Sequence, residues 1–422
     1  MKKIFQVTVL TAFYTFLKMI AGFIVGKIVA IYTGPAGIAM LGQLQSLITL
    51  STGITTAPVS TGLVRYTAES WKGDAAVCAP WWRACIKISG MAMLLVIPLI
   101  IVFSRPLAIE VFENGAYAWV VVFASCLLPF TTLNTLISSV LNGQQKYKQF
   151  ILLGMLSVVI STIVMILLVV FFGLNGALIA AAMNSGIAGI VLMISCLKQP
   201  WFRLKYWWGE TEKQHLTSIA KYALMALATA AAMPVVMIFI RKILIAHTGW
   251  DGAGHWQAVW KISEVYLGVI TIALSTYFLP RLSVLQDSIL IKREVNSVMP
   301  YIAMVTMVLA GGIYLFRDLS ITLLFTEEFR TARDLFAWQL IGDVIKIIGF
   351  MYAYPLQAQG HTKVFIVSEL LFAALFVVLC NYFVAIYGVQ GANFAYAMTY
   401  SAYTIFAFVF TNYINVRVRA NR

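Results

Sequence analysis

Nine charged side chains lie inside long apolar runs of this 422-residue chain: Lys18, Lys27, Arg241, Lys242, Lys261, Glu264, Asp343, Lys346 and Glu369. An ion at the centre of a bilayer costs about 2.5–3.5 kcal/mol on the insertion scale. Nine of them facing acyl chains would cost on the order of 25 kcal/mol, more than an ordinary domain's whole stability. They must therefore meet water, meet one another, or sit near enough to a helix end to reach the head groups, as Lys27 and Lys242 do. Six are cations and three are acids, which favours a chamber that accepts an anion. Lys261 and Glu264 are three apart, as are Asp343 and Lys346, so each pair shares a helix face. Such pairs either neutralise each other or face a wet interior together. Arg241 and Lys242 have no acid nearby in sequence. Lys18 and Lys27 point to opposite sides of an ideal helix; one chamber holds both only if the glycines between them bend it.

This is chemistry of binding and charge movement, not of bond making. No G-x-x-x-x-G-K-[ST] phosphate loop occurs, and the nearest approach, GFIVGKI at 22–28, has the wrong spacing and lies in an apolar run. Zinc-protease and serine-hydrolase signatures are absent. His215, His247, His255 and His361 are scattered; His247 and His255 flank one outer turn and read as solvated loop residues before they read as a proton sensor. Cys78, Cys85, Cys126, Cys196 and Cys380 make no CxxC. The chain is expected not to be an enzyme and to carry no metal or cofactor.

Composition sets the elements that position these charges. Hydrophobic residues make up 61% of the chain and charged residues 11%, far outside the soluble norm. A helix needs about 20 apolar residues to cross a bilayer. Twelve runs qualify: 7–31, 36–60, 83–104, 116–141, 149–171, 175–197, 217–247, 254–280, 297–316, 333–357, 363–386 and 390–414. Their continuity predicts helices, because barrel strands alternate in shorter segments. The first run is too long for a cleaved signal and contains Lys18 and Lys27, so it predicts a retained helix. A net charge of +14 suits nucleic acid, but most of the 30 Lys and Arg residues sit at the termini and in the even-numbered loops. The positive-inside rule then places both termini in the cytoplasm, and an even span count agrees in putting them on one side. Trp71, Trp81, Trp82, Trp201, Trp207 and Trp208 predict one interfacial belt; Trp119, Trp250, Trp256 and Trp338 predict the other.

The chain is one unit written twice. Residues 173–183 read GLNGALIAAAM and residues 388–398, 215 positions later, read GVQGANFAYAM, with six of eleven positions identical. The same offset joins Lys27, Thr33, Gly34 and Gly37 to Lys242, Thr248, Gly249 and Gly252. An offset of 217 joins Gly143 and Lys146 to Gly360 and Lys363. The longest polar stretch, KQPWFRLKYWWGETEKQH at 198–215, predicts a cytoplasmic interfacial linker between six-helix lobes at 1–197 and 216–422. An even span count per lobe makes the repeat parallel, and transporters of this plan place the substrate path between the copies. The expected fold is therefore all-α integral membrane: twelve transmembrane helices in two parallel six-helix repeats around a central cavity. Short loops leave no room for an external domain. Gln43, Gln45, Ser46, Thr49, Ser51, Thr52, Thr55 and Thr56 give the second helix a polar face suited to sugars or water, and equally to gluing helices together.

The motifs GKIVAIYTGPAG (26–37), RKILIAHTGWDGAGHWQ (241–257) and RDLFAWQLIGDVIK (333–346) resemble the Wzx-type flippases of bacterial polysaccharide assembly. These form part of the polysaccharide transporter family in the multidrug/oligosaccharidyl-lipid/polysaccharide superfamily, and the likeness extends over nearly the whole chain. It implies alternating access around a central cavity in the bacterial inner membrane. The implied cargo is an undecaprenyl-pyrophosphate-linked oligosaccharide, an O-antigen unit or lipid III, moved from the cytoplasmic to the periplasmic leaflet. Implied partners are membrane lipids and the polymerase and chain-length proteins of the glycan pathway. Lys18, Lys27, Arg241, Lys242, Asp343, Lys346 and Glu369 match charged positions of the family; Lys261 is not placed in its pattern. Lys18, Lys27, Arg241, Lys242 and Lys346 are then the expected pyrophosphate-binding cations. Glu264, Asp343 and Glu369 are the expected groups for gating or for coupling to protons or membrane potential. The alternatives are a cation-coupled multidrug exporter of the same superfamily, which would favour an acidic cavity, and a membrane glycan polymerase, which usually needs a sizeable external loop.

Overall fold

The computed structural model describes the backbone of residues 2–285 and 287–420; the side chains of 2–5, 8, 221–225, 228, 288, 362 and 413–420 lie outside that description. In chain order the helices are α1 (Lys2–Ser70), α2 (Ala75–Val102), α3 (Ser104–Phe112), α4 (Ala118–Cys126), α5 (Leu128–Gly143), α6 (Tyr147–Cys196) and α7 (Leu204–Trp207). They continue as α8 (Lys213–Ala273), α9 (Leu279–Val284), α10 (Ser288–Leu315), α11 (Arg317–Leu324), α12 (Phe336–Ala358), α13 (Thr362–Tyr387) and α14 (Val389–Ala420). No strand occurs among the described residues. Nine segments among them are long and apolar enough to cross a membrane. Three of these, in α1, α6 and α8, run through a glycine with non-helical backbone, Gly34, Gly173 and Gly249. Each side of each break is itself of span length, so nine segments accommodate twelve crossings.

The breaks carry the repeat into the backbone. Gly34 has φ 63° and ψ −166°, its counterpart Gly249 φ 74° and ψ 177°. Gly173 has φ 56° and ψ −130°, its counterpart Gly388 φ 58° and ψ −141°. These positive-φ conformations cost other residues roughly 1–3 kcal/mol, which explains why glycine stands at all four. The turn from α5 to α6 and the turn from α12 to α13 coincide as well. The Lys146 N–H donates to the Leu141 carbonyl at 3.0 Å and the His361 N–H to the Leu356 carbonyl at 2.9 Å, the six-to-one closure of a Schellman motif. The offset here is 215, which corrects the pairing of Gly143 with Gly360 and of Lys146 with Lys363. The left-handed residue of the turn is Gln145 in one copy and Gly360 in the other. A glutamine at a glycine position made a glycine two residues away look like the match.

By packing, the chain forms two compact units, one of Met1–Thr33 with Met40–Ile238 and one of Gly34–Ala39 with Phe239–Arg422. In the first, Trp82, Trp201 and Trp207 form a core with Leu63, Cys78, Cys85, Ile137 and Cys196. The Trp82 Nε1–H donates to Thr67 Oγ1 at 3.0 Å and the Trp207 Nε1–H to the Trp201 carbonyl at 3.2 Å. Burial of these three rings, and of Trp256 in the second unit, corrects the expected belts at four of the ten tryptophans assigned there; Trp71, Trp81 and Trp250 are half-buried and Trp119, Trp208 and Trp338 exposed. An indole enters a core when that core has room for its ring, and composition does not reveal which rings find one. Trp201 and Trp207 thus fasten the 198–215 segment to the first unit, with Leu204 and Trp208 outward.

In the second unit α12 is stitched to α14 at three levels. Asn393 Nδ2 donates to the Leu335 carbonyl at 2.9 Å, Thr404 Oγ1 to Ile345 at 3.0 Å, and Thr411 Oγ1 to Tyr352 at 2.8 Å. Gly342 makes the approach possible, since a Cβ there would run into the Tyr396 ring.

Candidate functional site

The second unit holds a polar cluster between α8, α12 and α14, built around Asp343. This carboxylate is fully buried. Its Oδ2 accepts from the Tyr266 hydroxyl at 2.7 Å, and its Oδ1 from the Tyr396 hydroxyl at 2.8 Å and Gln339 Nε2 at 3.2 Å. Gln339 is one helical turn away on α12, Tyr266 comes from α8 and Tyr396 from α14. Burying a charge costs several kcal/mol unless hydrogen bonds replace its water; here three donors on three helices do so.

Lys346, three residues on, acts on that carboxylate electrostatically. Its Nζ lies 5.0 Å from the ring centre of Tyr400, 5.6 Å from those of Trp260 and Tyr396, and 5.7 Å from that of Phe350. Four rings within about 6 Å make a cation–π cage. A spacing of three predicts a shared face, and the pair does share one, but each member takes different partners. Tyr396 belongs to both sets, through its hydroxyl and through its ring.

A second group forms around Arg241. It is 1% exposed, and its Nη1 donates to Gln257 Oε1 at 2.7 Å, reaching across the Gly249 break. Glu264 acts electrostatically on both Arg241 and Lys261. Lys242 and Lys261 are half-buried and Glu264 is exposed. Glu369 is half-buried, with Oε2 shielded and making no hydrogen bond among the described residues. Lys18 and Lys27 belong to the first unit; Lys18 is exposed, its Nζ 4.3 Å from the Tyr14 ring centre, and Lys27 is half-buried. The structure thus gathers Asp343 with Lys346, and Arg241 with Lys261 and Glu264. Tyr266, Tyr396, Gln339, Trp260 and Gln257 were not among the residues singled out in sequence.

The polar face of the second span divides. Ser51, Thr55 and Thr56 are buried, and their hydroxyls donate to carbonyls three or four residues back. Gln45 and Thr49 are exposed.

Span-length helices broken at matched glycines, with charges in their interior, define an all-helical multi-pass membrane protein. A structure described as lipid II flippase MurJ in an inward closed conformation superposes with a TM-score of 0.72 at 16% identity, covering 96% of this chain and 87% of that one. An inward-facing multidrug resistance MATE family transporter of the MOP superfamily superposes with a TM-score of 0.69 at 15% identity, covering 96% of both. Residues 85–334 match the model of a family described as polysaccharide biosynthesis protein. That is more than half of the chain, which belongs to this family. The lipid III flippase of Escherichia coli (strain K12) is 28% identical over 397 residues, 93% of this chain and 94% of that protein. The lipid III flippase of Shigella flexneri gives the same figures.

Proposed function

We propose that the chain is a flippase carrying an undecaprenyl-pyrophosphate-linked oligosaccharide, lipid III or an O-antigen unit, from the cytoplasmic to the periplasmic leaflet of the bacterial inner membrane. The observation that carries this reading is the end-to-end likeness to proteins named lipid III flippase. Six cations against three acids within the spans support it, because a lipid pyrophosphate needs positive charge along its path. In this proposal both termini are cytoplasmic, and two six-helix lobes, 1–197 and 216–422, are joined by the 198–215 linker. Polymerase and chain-length proteins of the glycan pathway receive the product, and the chain itself performs no catalysis.

Lys18, Lys27, Lys242 and Lys346 are exposed or half-buried, and we assign them to the phosphates. Arg241, enclosed and bonded to Gln257, serves the same charge when the break at Gly249 moves. Glu264, Asp343 and Glu369 are assigned to coupling or gating. One charge crossing 100 mV gains about 2.3 kcal/mol, enough to bias two conformations roughly fifty-fold. Replacing Arg241 and Lys242 together with Gln is expected to abolish complementation of a flippase-null strain at normal membrane levels. Full complementation would refute the assignment of these two residues.

A cation-coupled multidrug exporter is the second reading, favoured by the fold shared with the MATE transporter. The positive balance of the intramembrane charges argues against it, and resistance profiling of an overexpressing strain separates the two.

A further inference from the structure

The repeat supplies an internal control for the cluster around Asp343. Helical register is fixed by the matched breaks at Gly34 and Gly249 and at Gly173 and Gly388, and by the matched turns at Gln145 and Gly360. Positions 215 apart on those helices are therefore equivalent. Where the second copy has Asp343, Tyr266 and Tyr396, the first has Leu128, Ser51 and Ala181. Where the second has Lys346, Trp260 and Tyr400, the first has Thr131, Gln45 and Ser185. The first copy even leaves a small cavity lined by Ser51 and Leu128, the counterparts of Tyr266 and Asp343. The four glycine breaks and the two turns thus form without the carboxylate, the tyrosines or the caged ammonium, although α12 runs unbroken over the stretch where the first copy's helix is interrupted at Leu127, between α4 and α5. A cluster that the shared breaks and turns do not require, present as a complete set in one copy, has a task beyond forming them.

Tyr396 joins its two halves. The hydroxyl donates to Asp343 Oδ1 at 2.8 Å, and the ring centre lies 5.6 Å from Lys346 Nζ. Trp260 and Tyr400 pack on that ring at 5.2 and 4.9 Å. The side chain is 1% exposed, so a ligand does not reach it, whereas Lys346 is half-buried. Asp343 acts on the Lys346 ammonium electrostatically, but the carboxylate takes its hydrogen bonds from Tyr266, Tyr396 and Gln339. Ring faces hold the ammonium in place and leave its N–H donors for a phosphate oxygen.

We infer that Tyr396 is a positioning residue, anchored by the Asp343 carboxylate, that holds the Lys346 ammonium for a phosphate of the substrate. The inference rests on the flippase reading of the same site, so its test measures binding and transport separately. Purified full-length protein is titrated with farnesyl pyrophosphate, a soluble prenyl pyrophosphate, and reconstituted separately with lipid-linked oligosaccharide. Tyr396→Phe keeps the ring and removes the anchor. It is expected to weaken farnesyl pyrophosphate binding roughly tenfold, the scale of one hydrogen bond to a charged group. Tyr396→Ala, the residue of the first copy, should weaken it at least as much. Lys346→Gln should weaken it further, and adding Tyr396→Phe to Lys346→Gln should cost nothing more, because the anchor then holds nothing. In transport, Tyr396→Phe should raise KM while leaving the maximal rate within about twofold, the pattern of lost uniform binding. Wild-type protein that fails to bind the probe, Tyr396→Phe that binds it normally, or losses that multiply in the double variant would each overturn the inference. Wild-type protein that binds the probe but moves no lipid-linked oligosaccharide would overturn the flippase reading and leave the role of Tyr396 standing.

Discussion

Replacing Asp343 with Ala removes the acceptor on which three buried donors converge: the Tyr266 and Tyr396 hydroxyls and Gln339 Nε2. Two scales bracket the cost. Hydrogen bonds between membrane helices average about 0.6 kcal/mol in double-mutant cycles, which puts the floor near 1 kcal/mol for the two that come from other helices, Tyr266 and Tyr396. A buried donor left without a partner costs about 1–3 kcal/mol, which puts the ceiling several times higher. For a lobe of this size each kcal/mol lowers Tm by roughly 2–4 °C, so Asp343→Ala should melt at least about 2 °C below wild type. Asp343→Asn keeps an acceptor oxygen and should lose much less. The triple variant Asp343→Leu, Tyr266→Phe, Tyr396→Phe removes the acceptor together with two of its donors, and should recover most of the loss, since a complete apolar replacement of a buried polar group is often neutral. The assay is thermal unfolding of the detergent-solubilised protein, followed by size-exclusion chromatography after heating. Asp343→Ala melting with wild type, or a triple variant no more stable than Asp343→Ala, would refute the reasoning.

Three further outcomes are open to the same melting assay. Gln145→Gly, which gives the first copy's turn the residue of the second, should stabilise by about 0.5–1 kcal/mol by relieving a left-handed side chain; destabilisation would contradict the matched turns. Gly173→Ala meets no atom within 4 Å and should cost only the roughly 1–3 kcal/mol of a positive-φ backbone, whereas Gly176→Ala drives its Cβ into the Leu168 carbonyl and should cost clearly more. Trp201→Ala empties a core position and should cost about 3–5 kcal/mol, against a change within about 0.5 kcal/mol for the exposed Trp208→Ala.

The repeat was legible in sequence wherever backbone conformation demanded one residue type. Gly34, Gly173, Gly249 and Gly388 occupy positive-φ positions, and only glycine takes them without strain. Legibility failed where that demand was relaxed: Gln145 accepts the strain, and the apparent offset slipped by two. The charges were visible because each is expensive in a bilayer. Their partners were not, because Tyr266 and Tyr396 lie 77 and 53 residues from Asp343 and a tyrosine in an apolar run attracts no notice. One signal was available. Inside the best-matched repeat motif, Tyr396 stands where the first copy has Ala181, and a large polar ring for a small apolar residue is a departure that packing alone does not call for. Tryptophan was misleading for a related reason. Its type suggests an interface, but Trp82, Trp201, Trp207 and Trp256 found cores that composition cannot reveal.

The measurement that bears most directly on the central claim is a leaflet-accessibility assay in proteoliposomes. Purified protein is reconstituted with a defined undecaprenyl-pyrophosphate-linked oligosaccharide, and the fraction open to an impermeant glycan-modifying enzyme is followed with and without a pH gradient or membrane potential. The flippase account expects wild-type protein to equilibrate or pump the lipid across leaflets, and protein carrying Arg241→Gln, Lys242→Gln and Lys346→Gln to leave it where it started. Lipid that stays in its leaflet with folded wild-type protein under every gradient, or that crosses equally fast with the triple variant, would contradict it.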